Sequence, residues 1–187
     1  MNKHPLETSR VVFLEGDKII FRPLDERDLD RIVIWINDPQ VRKYLTVFIP
    51  MTMGAEKKWI ESISGSEKNI VLAAIDKETG KHIGNAGLHN INGRNRTATF
   101  GFLIGDKDFW GKGYGTEMLD LMLKYAFHTL GLRKVKSSVL AANIGSAKVH
   151  EKCGYKKAGV FKNEYLVDGE YVDEILLDVL REDWEKK

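Results

Sequence analysis

The sequence predicts one mixed α/β (α+β) domain, a mostly antiparallel central sheet flanked by about four helices. Three observations predict it. Apolar, β-branched runs at residues 70–75, 83–91 and 97–104 follow one another across short polar turns, the pattern of an antiparallel meander. Apolar residues at helical spacing, Leu119, Met122, Leu123, Ala126 and Leu130, then lead into a further strand at 135–140, which makes a strand–helix–strand unit. The chain closes with strand-like runs at 155–167 and 171–180 around Asp168-Gly169, a strong hairpin signal. Of the 187 residues 43% are hydrophobic, enough for one well-packed core and too few to argue for two.

The elements follow in order. Residues 1–10 read as a flexible leader and 11–187 as the domain. Residues 11–14 and 19–21 read as strands around Glu15-Gly16-Asp17, and Pro23 ends the second. Asp25 is placed to cap a helix whose apolar face is Leu29, Ile32, Val33 and Ile36, and Asp38-Pro39 stops it. Thr52 caps a second helix through Trp59, Ile60 and Ile63, closed by Gly65. Lys77-Glu78-Thr79-Gly80 and Asn92-Gly93-Arg94-Asn95 supply the turns of the meander. Gly131 ends the long helix, and Asn143 caps a short one that stops at Gly154.

Composition narrows the function. The net charge is +2 with no long block of one sign, which argues against nucleic-acid or membrane binding through a basic face. Cys153 is the only cysteine, so neither an intrachain disulfide nor a thiolate metal cluster is expected, and a cytoplasmic setting fits. The five histidines are scattered, and no metal is expected. No apolar signal core or bilayer-length apolar run is present.

The stretch carrying most chemistry is Trp110-Gly111-Lys112-Gly113-Tyr114-Gly115-Thr116-Glu117. Alternate glycines before a helix let backbone N–H groups converge, and the helix dipole adds positive potential there. That is an anion site, with phosphate its usual occupant. A P-loop fails, because Gly111-Lys112 is followed by Gly113 rather than Ser or Thr. A dinucleotide fold fits poorly, because the preceding strands read as antiparallel.

Strand 97–104, this loop and the helix after it resemble the acyl-CoA site of the GNAT acetyltransferase superfamily, whose Arg/Gln-x-x-Gly-x-Gly/Ala pattern is matched at Gly113 and Gly115. Trp110 stands where Arg or Gln is commonest. From about residue 19 to 184 the chain resembles RimJ/RimL-like N-acetyltransferases. The likeness rests on Phe21-Arg22-Pro23-Leu24, Ile83-Gly84-Asn85-Ala86-Gly87-Leu88, Glu151-Lys152-Cys153-Gly154-Tyr155 and Asp168-Gly169-Glu170-Tyr171-Val172-Asp173.

The resemblance implies transfer of the acetyl group of acetyl-CoA to a primary amine by direct attack in a ternary complex. An amino sugar or a protein N-terminus is the implied acceptor, in a site framed by Trp35, Arg42, Tyr44, Phe48 and Trp59. It implies that Phe102, Leu103 and Ile104 offer backbone groups to pantetheine as an added strand. The amides of Gly111, Gly113, Tyr114, Gly115 and Thr116 would cradle the pyrophosphate. Lys112 reads either as a point charge beside phosphate or as a solvated lysine, and Asn143 as a pantetheine ligand or a helix cap. Ser146 and Lys148 are further cofactor candidates. His150 fills the slot of a thiolate-protonating tyrosine, or merely packs. Thr99 stands where relatives carry a base-forming Glu, so the amine's proton is expected to leave through water held by backbone carbonyls or by His89, Asn90 or Glu164. The competing class is a non-catalytic acyl-CoA-binding sensor of the same fold. The terminal strands could pair across a homodimer.

Overall fold

The computed structural model describes residues 11–187; the leader expected at 1–10 lies outside them. One eight-stranded sheet runs in the order β1-β2-β3-β4-β5-β6-β8-β7. Its first half is a meander: β1 (Leu14–Glu15), β2 (Ile19–Pro23), β3 (Ile70–Asp76), β4 (His82–Asn92) and β5 (Thr97–Ile104). The second half is β6 (Lys134–Leu140), β7 (Lys156–Val167) and β8 (Glu170–Leu180). Only β5 and β6 run parallel. Helix α4 (Tyr114–Lys124), prolonged by a wider π-type turn at Tyr125–Thr129, makes the crossover between them.

Adjacent strand residues point to opposite faces, and the two cores follow from that. On one face Phe21, Leu88 and Phe100 meet Met118, Leu119, Met122 and Leu123 of α4, with Phe102 packed against them. On the other, Leu103 packs against Leu29, Ile32, Trp35, Val41 and Ile60. These come from α1 (Leu29–Asn37), α2 (Pro39–Arg42) and α3 (Met53–Ile63). Helix α5 (Ile144–Lys152) lies on the α4 side. Two elements escaped periodicity, α2 and α6 (Arg181–Trp184), because each has four residues; six helices flank the sheet rather than four. The first strand is shorter than expected, since only Leu14 and Glu15 pair with β2.

Asp25 caps through a reciprocal capping box with Asp28, but of a 3-10 turn that precedes α1. Asp28 in turn receives both Arg22 guanidinium nitrogens, at 2.8 and 2.6 Å. That buried pair fastens β2 to the helical layer.

Candidate active site

Strands β5 and β6 pair only where Thr97, Ala98 and Thr99 face Lys134, Val135 and Lys136. Beyond that they part, and a cleft of about 990 Å³ opens between them, continuous with the N-terminus of α4 and with the β7–β8 hairpin. At the fork, Ser137 Oγ lies 3.1 Å from the Phe100 carbonyl.

At one end lies the glycine turn. Gly111 and Gly113 have φ of 72° and 89°, a left-handed conformation that side chains resist. Gly115 is buried for a different reason: a Cβ there would lie 3.1 Å from Phe102 and 3.4 Å from Val149, so its absence lets α4 start close against β5. Glu117 N–H is the first in the helix to reach a carbonyl, that of Gly113 at 3.1 Å. The amides of Tyr114, Gly115 and Thr116 therefore have no partner within the helix. These open donors beside a bare backbone fit a diphosphate. Trp110 Nε1 donates to the Ile104 carbonyl at 2.8 Å, so the residue that departs from the family pattern ties the turn to β5. The Tyr114 phenol donates to Asp76 at 2.8 Å, and that bond, aided by burial, pushes its pKa up to about 12.

The structure does not bring Lys112 to the cleft. Its side chain is exposed, and its carbonyl accepts from Lys18 Nζ at 2.9 Å. Lys18, 94 residues earlier, is the cation held at this turn. Glu117 fixes its backbone by accepting from Lys18 N–H at 2.8 Å. Nothing local in the sequence joins the two segments.

Phe102, Leu103 and Ile104 line the middle of the cleft. The Phe100 and Ile104 carbonyls both accept side-chain donors on the β6 side, so by strand alternation Phe102 presents its N–H and C=O to the same side. Of the two roles expected of Asn143, the structure shows the cap. Its Oδ1 accepts from Ser146 N–H at 3.0 Å as the α5 cap, which leaves Nδ2 as a donor at the cleft wall. Ser146 and Lys148 also line the cleft.

His150 lines the cleft but is 1% exposed. Nδ1 lies 2.8 Å from the Ser146 carbonyl and Nε2 2.8 Å from Ser137 Oγ. Burial pulls its pKa below the ordinary value, against the opposing pull of Ser146. The ring is therefore a neutral, fully engaged group in the cleft wall. Ser137 was hidden in the sequence because it occupies an ordinary position of β6. Cys153 is buried, and its thiol points to the Thr116 carbonyl at 3.5 Å. Burial, reinforced by Asp120, pushes its pKa up to about 11, the reverse of an activated nucleophile.

His89, Thr99 and Tyr44 line the end that faces α1 and α2. The His89 imidazole lies over Gly87, so close that a Cβ there would be 2.8 Å from Nε2, and burial lowers its pKa. The structure does not bring Glu164 to the cleft: its side chain is exposed. Its neighbour Tyr165 and the facing strand's Glu174 line the cleft instead. Period-two alternation turns residue 164 away when 165 points inward.

A model of the acetyltransferase (GNAT) domain matches residues 18–156. The uncharacterized N-acetyltransferase p20 of Bacillus licheniformis is 25% identical over 175 residues, which span 91% of this chain and 97% of that protein. The probable N-acetyltransferase YjcK of Bacillus subtilis is 36% identical over 96 residues, about half of each chain (51% and 52%). Among solved structures, spermidine N-acetyltransferase from Vibrio cholerae, in complex with CoA and spermine, superposes with a TM-score of 0.84 at 22% identity, covering 91% of this chain and 99% of that one. A family match across residues 18–156, on a sheet parted beside a helix that opens with three free amides, shows that this chain belongs to the acetyltransferase (GNAT) family.

Proposed function

We propose that the parted strands carry the acetyl group of acetyl-CoA to a primary amine that enters from the α1–α2 face. The enzyme class and its co-substrate follow from the family; the placement of each group is our reading. The observation that carries it is the single cleft that joins the open α4 amides, the unpaired edge of β5 and the His89 face of the sheet.

In this reading the Tyr114, Gly115 and Thr116 amides and Lys18 hold the diphosphate. Phe102 N–H and C=O, with Asn143 Nδ2, hold the pantetheine amides in register. Lys148 faces the nucleotide end. Orientation by main chain costs little reorganisation, and donors fixed in a half-buried cleft act strongly on charge that develops there. His89, neutral through burial, takes the amine's proton directly or through one water. His150 and Ser137 form the cleft wall beside the departing sulfur. No carboxylate stands at Thr99, so the base is the imidazole face rather than an acid on β5.

The test is calorimetry with CoA, followed by steady-state acetylation of an amine panel with thiol release as readout. Binding together with turnover on at least one amine is the expected result. CoA binding without turnover on any amine would favour the sensor reading, and absence of CoA binding would overturn the site. The cytoplasmic setting and a homodimer across the outer edge of β7, which no described strand pairs, belong to the same proposal; light scattering checks the second.

A further inference from the structure

We infer that Glu174, with Tyr165, is the site that receives the ammonium group of the acceptor, and that the acceptor is a cationic aliphatic amine with no anionic group beside the nitrogen. This rests on the reading of the cleft given above.

Glu174 is the only acidic side chain lining the cleft among the described residues. It sits in β8 between Leu140 of β6 and Phe161 of β7, so its flanks are apolar. None of the ion pairs among the described residues uses it. A half-buried carboxylate without a cation attracts one more strongly than an exposed carboxylate does. The Tyr165 phenol is its neighbour: burial first, then the charges of Glu174 and Glu164 and a hydrogen bond to Glu174, push the tyrosine pKa up. The phenol thus stays neutral and able to donate beside the carboxylate. The lysines of the cleft, Lys148 and Lys152, come from α5, near the nucleotide end. The cleft is therefore polarised, with cations and open amides at the nucleotide and the one carboxylate toward the acceptor.

A built feature brings Tyr165 there. Phe161 pairs with Glu174 and Tyr165 with Val172, so four steps along β7 match two along β8. The two extra residues draw Tyr165 back by roughly 7 Å at the usual strand rise, one pair step from Glu174. Asn163 in the bulge has φ of 52°, and its N–H donates to Asp173 Oδ1 at 3.0 Å while Lys162 Nζ holds Oδ2 at 2.6 Å. Bulges commonly re-aim side chains beside active sites. Asp173 is accordingly a positioning residue: it fixes the bulge that places Tyr165.

The test uses the full chain and the substitutions E174Q, E174D and D173N. Propylamine and 1,4-diaminobutane serve as cationic probes, and glycine as an amine beside a carboxylate. E174Q is expected to raise the amine KM about tenfold or more, the scale of losing a charge-assisted bond. Amine binding to the CoA-saturated protein, read by calorimetry, should weaken in parallel, with CoA affinity within about twofold of the parent. E174D, which keeps the charge, should recover part of the loss. D173N should raise KM more than it lowers kcat, and glycine should be the poorest acceptor. An E174Q enzyme with unchanged amine KM and binding overturns the proposal. So does a parent enzyme that binds CoA yet acetylates neither cationic probe, or one that prefers glycine. Loss of CoA binding in the parent chain would instead overturn the reading of the cleft.

Discussion

Replacing Ser137 with Ala tests what holds the fork of β5 and β6. The Ser146 carbonyl can only accept, so His150 carries its proton on Nδ1. In the neutral ring Nε2 is then an acceptor, and the single Ser137 proton serves two acceptors, Nε2 at 2.8 Å and the Phe100 carbonyl at 3.1 Å. In the charged ring Nε2 donates to Ser137 and the hydroxyl proton is free for Phe100. Alanine removes the shared partner from a buried site, which costs about 1–3 kcal/mol. For a chain of this size that is a fall in Tm of roughly 2–12 °C. Burial depresses the folded pKa of His150, so just below the unfolded value of about 6.5 the unfolded chain binds more protons and stability falls as pH falls. The variant lacks the acceptor that the charged ring would use, so its acid loss should exceed that of the parent. Thermal melts at about pH 7.5 and about pH 5.5 decide it. A Tm at the higher pH within about 1 °C of the parent, or equal acid losses, would refute the reasoning.

Two further outcomes are expected. Gly113→Ala meets no side chain nearer than Lys18 Nζ at 3.5 Å, so its cost is the left-handed backbone, about 1–2 kcal/mol; CoA affinity by calorimetry should fall about tenfold as the turn relaxes. Asp28→Asn should destabilise by about 3–5 kcal/mol in urea melts, because the part-buried Arg22 loses its carboxylate partner and keeps only the Pro23 carbonyl. Although burial works against its charge, Arg22 and then His82 hold the Asp28 carboxyl far below the ordinary carboxylate range. Its contribution is thus complete above the unfolded pKa and is lost only as pH falls below that value, and the variant should lack this share of acid sensitivity.

The meander, the α4 crossover and the terminal hairpin were legible because each carries a periodic pattern closed by turn chemistry. The glycine turn was legible because positive φ and a helix start leave a compositional mark. What lay hidden depended on register or on distant pairing. Lys18 reaches the turn through a contact 94 residues away. Glu174 and Tyr165 converge only because β7 carries two residues more than β8 between Phe161 and Tyr165, a register shift that no local pattern announces. Ser137 occupies an ordinary strand position and becomes special because β5 departs from β6 just beyond it.

The same departure makes ligand binding a stability test. Where β5 leaves β6, Phe102 turns a backbone donor and acceptor toward the cleft, and backbone groups removed from water need partners. A ligand chain laid along that edge supplies them, in addition to what the α4 amides gain from its phosphates. CoA at about 100 times its Kd should stabilise the protein by about 2.7 kcal/mol, a rise in Tm of roughly 5–11 °C. Adenosine 3′,5′-bisphosphate keeps the 5′-phosphate but lacks the second phosphate and the pantetheine arm, so it meets only part of the α4 amide site and nothing of the β5 edge, and should raise Tm less at equal concentration. Equal shifts from the two compounds would place recognition at the nucleotide alone and remove the parted strands from the binding site.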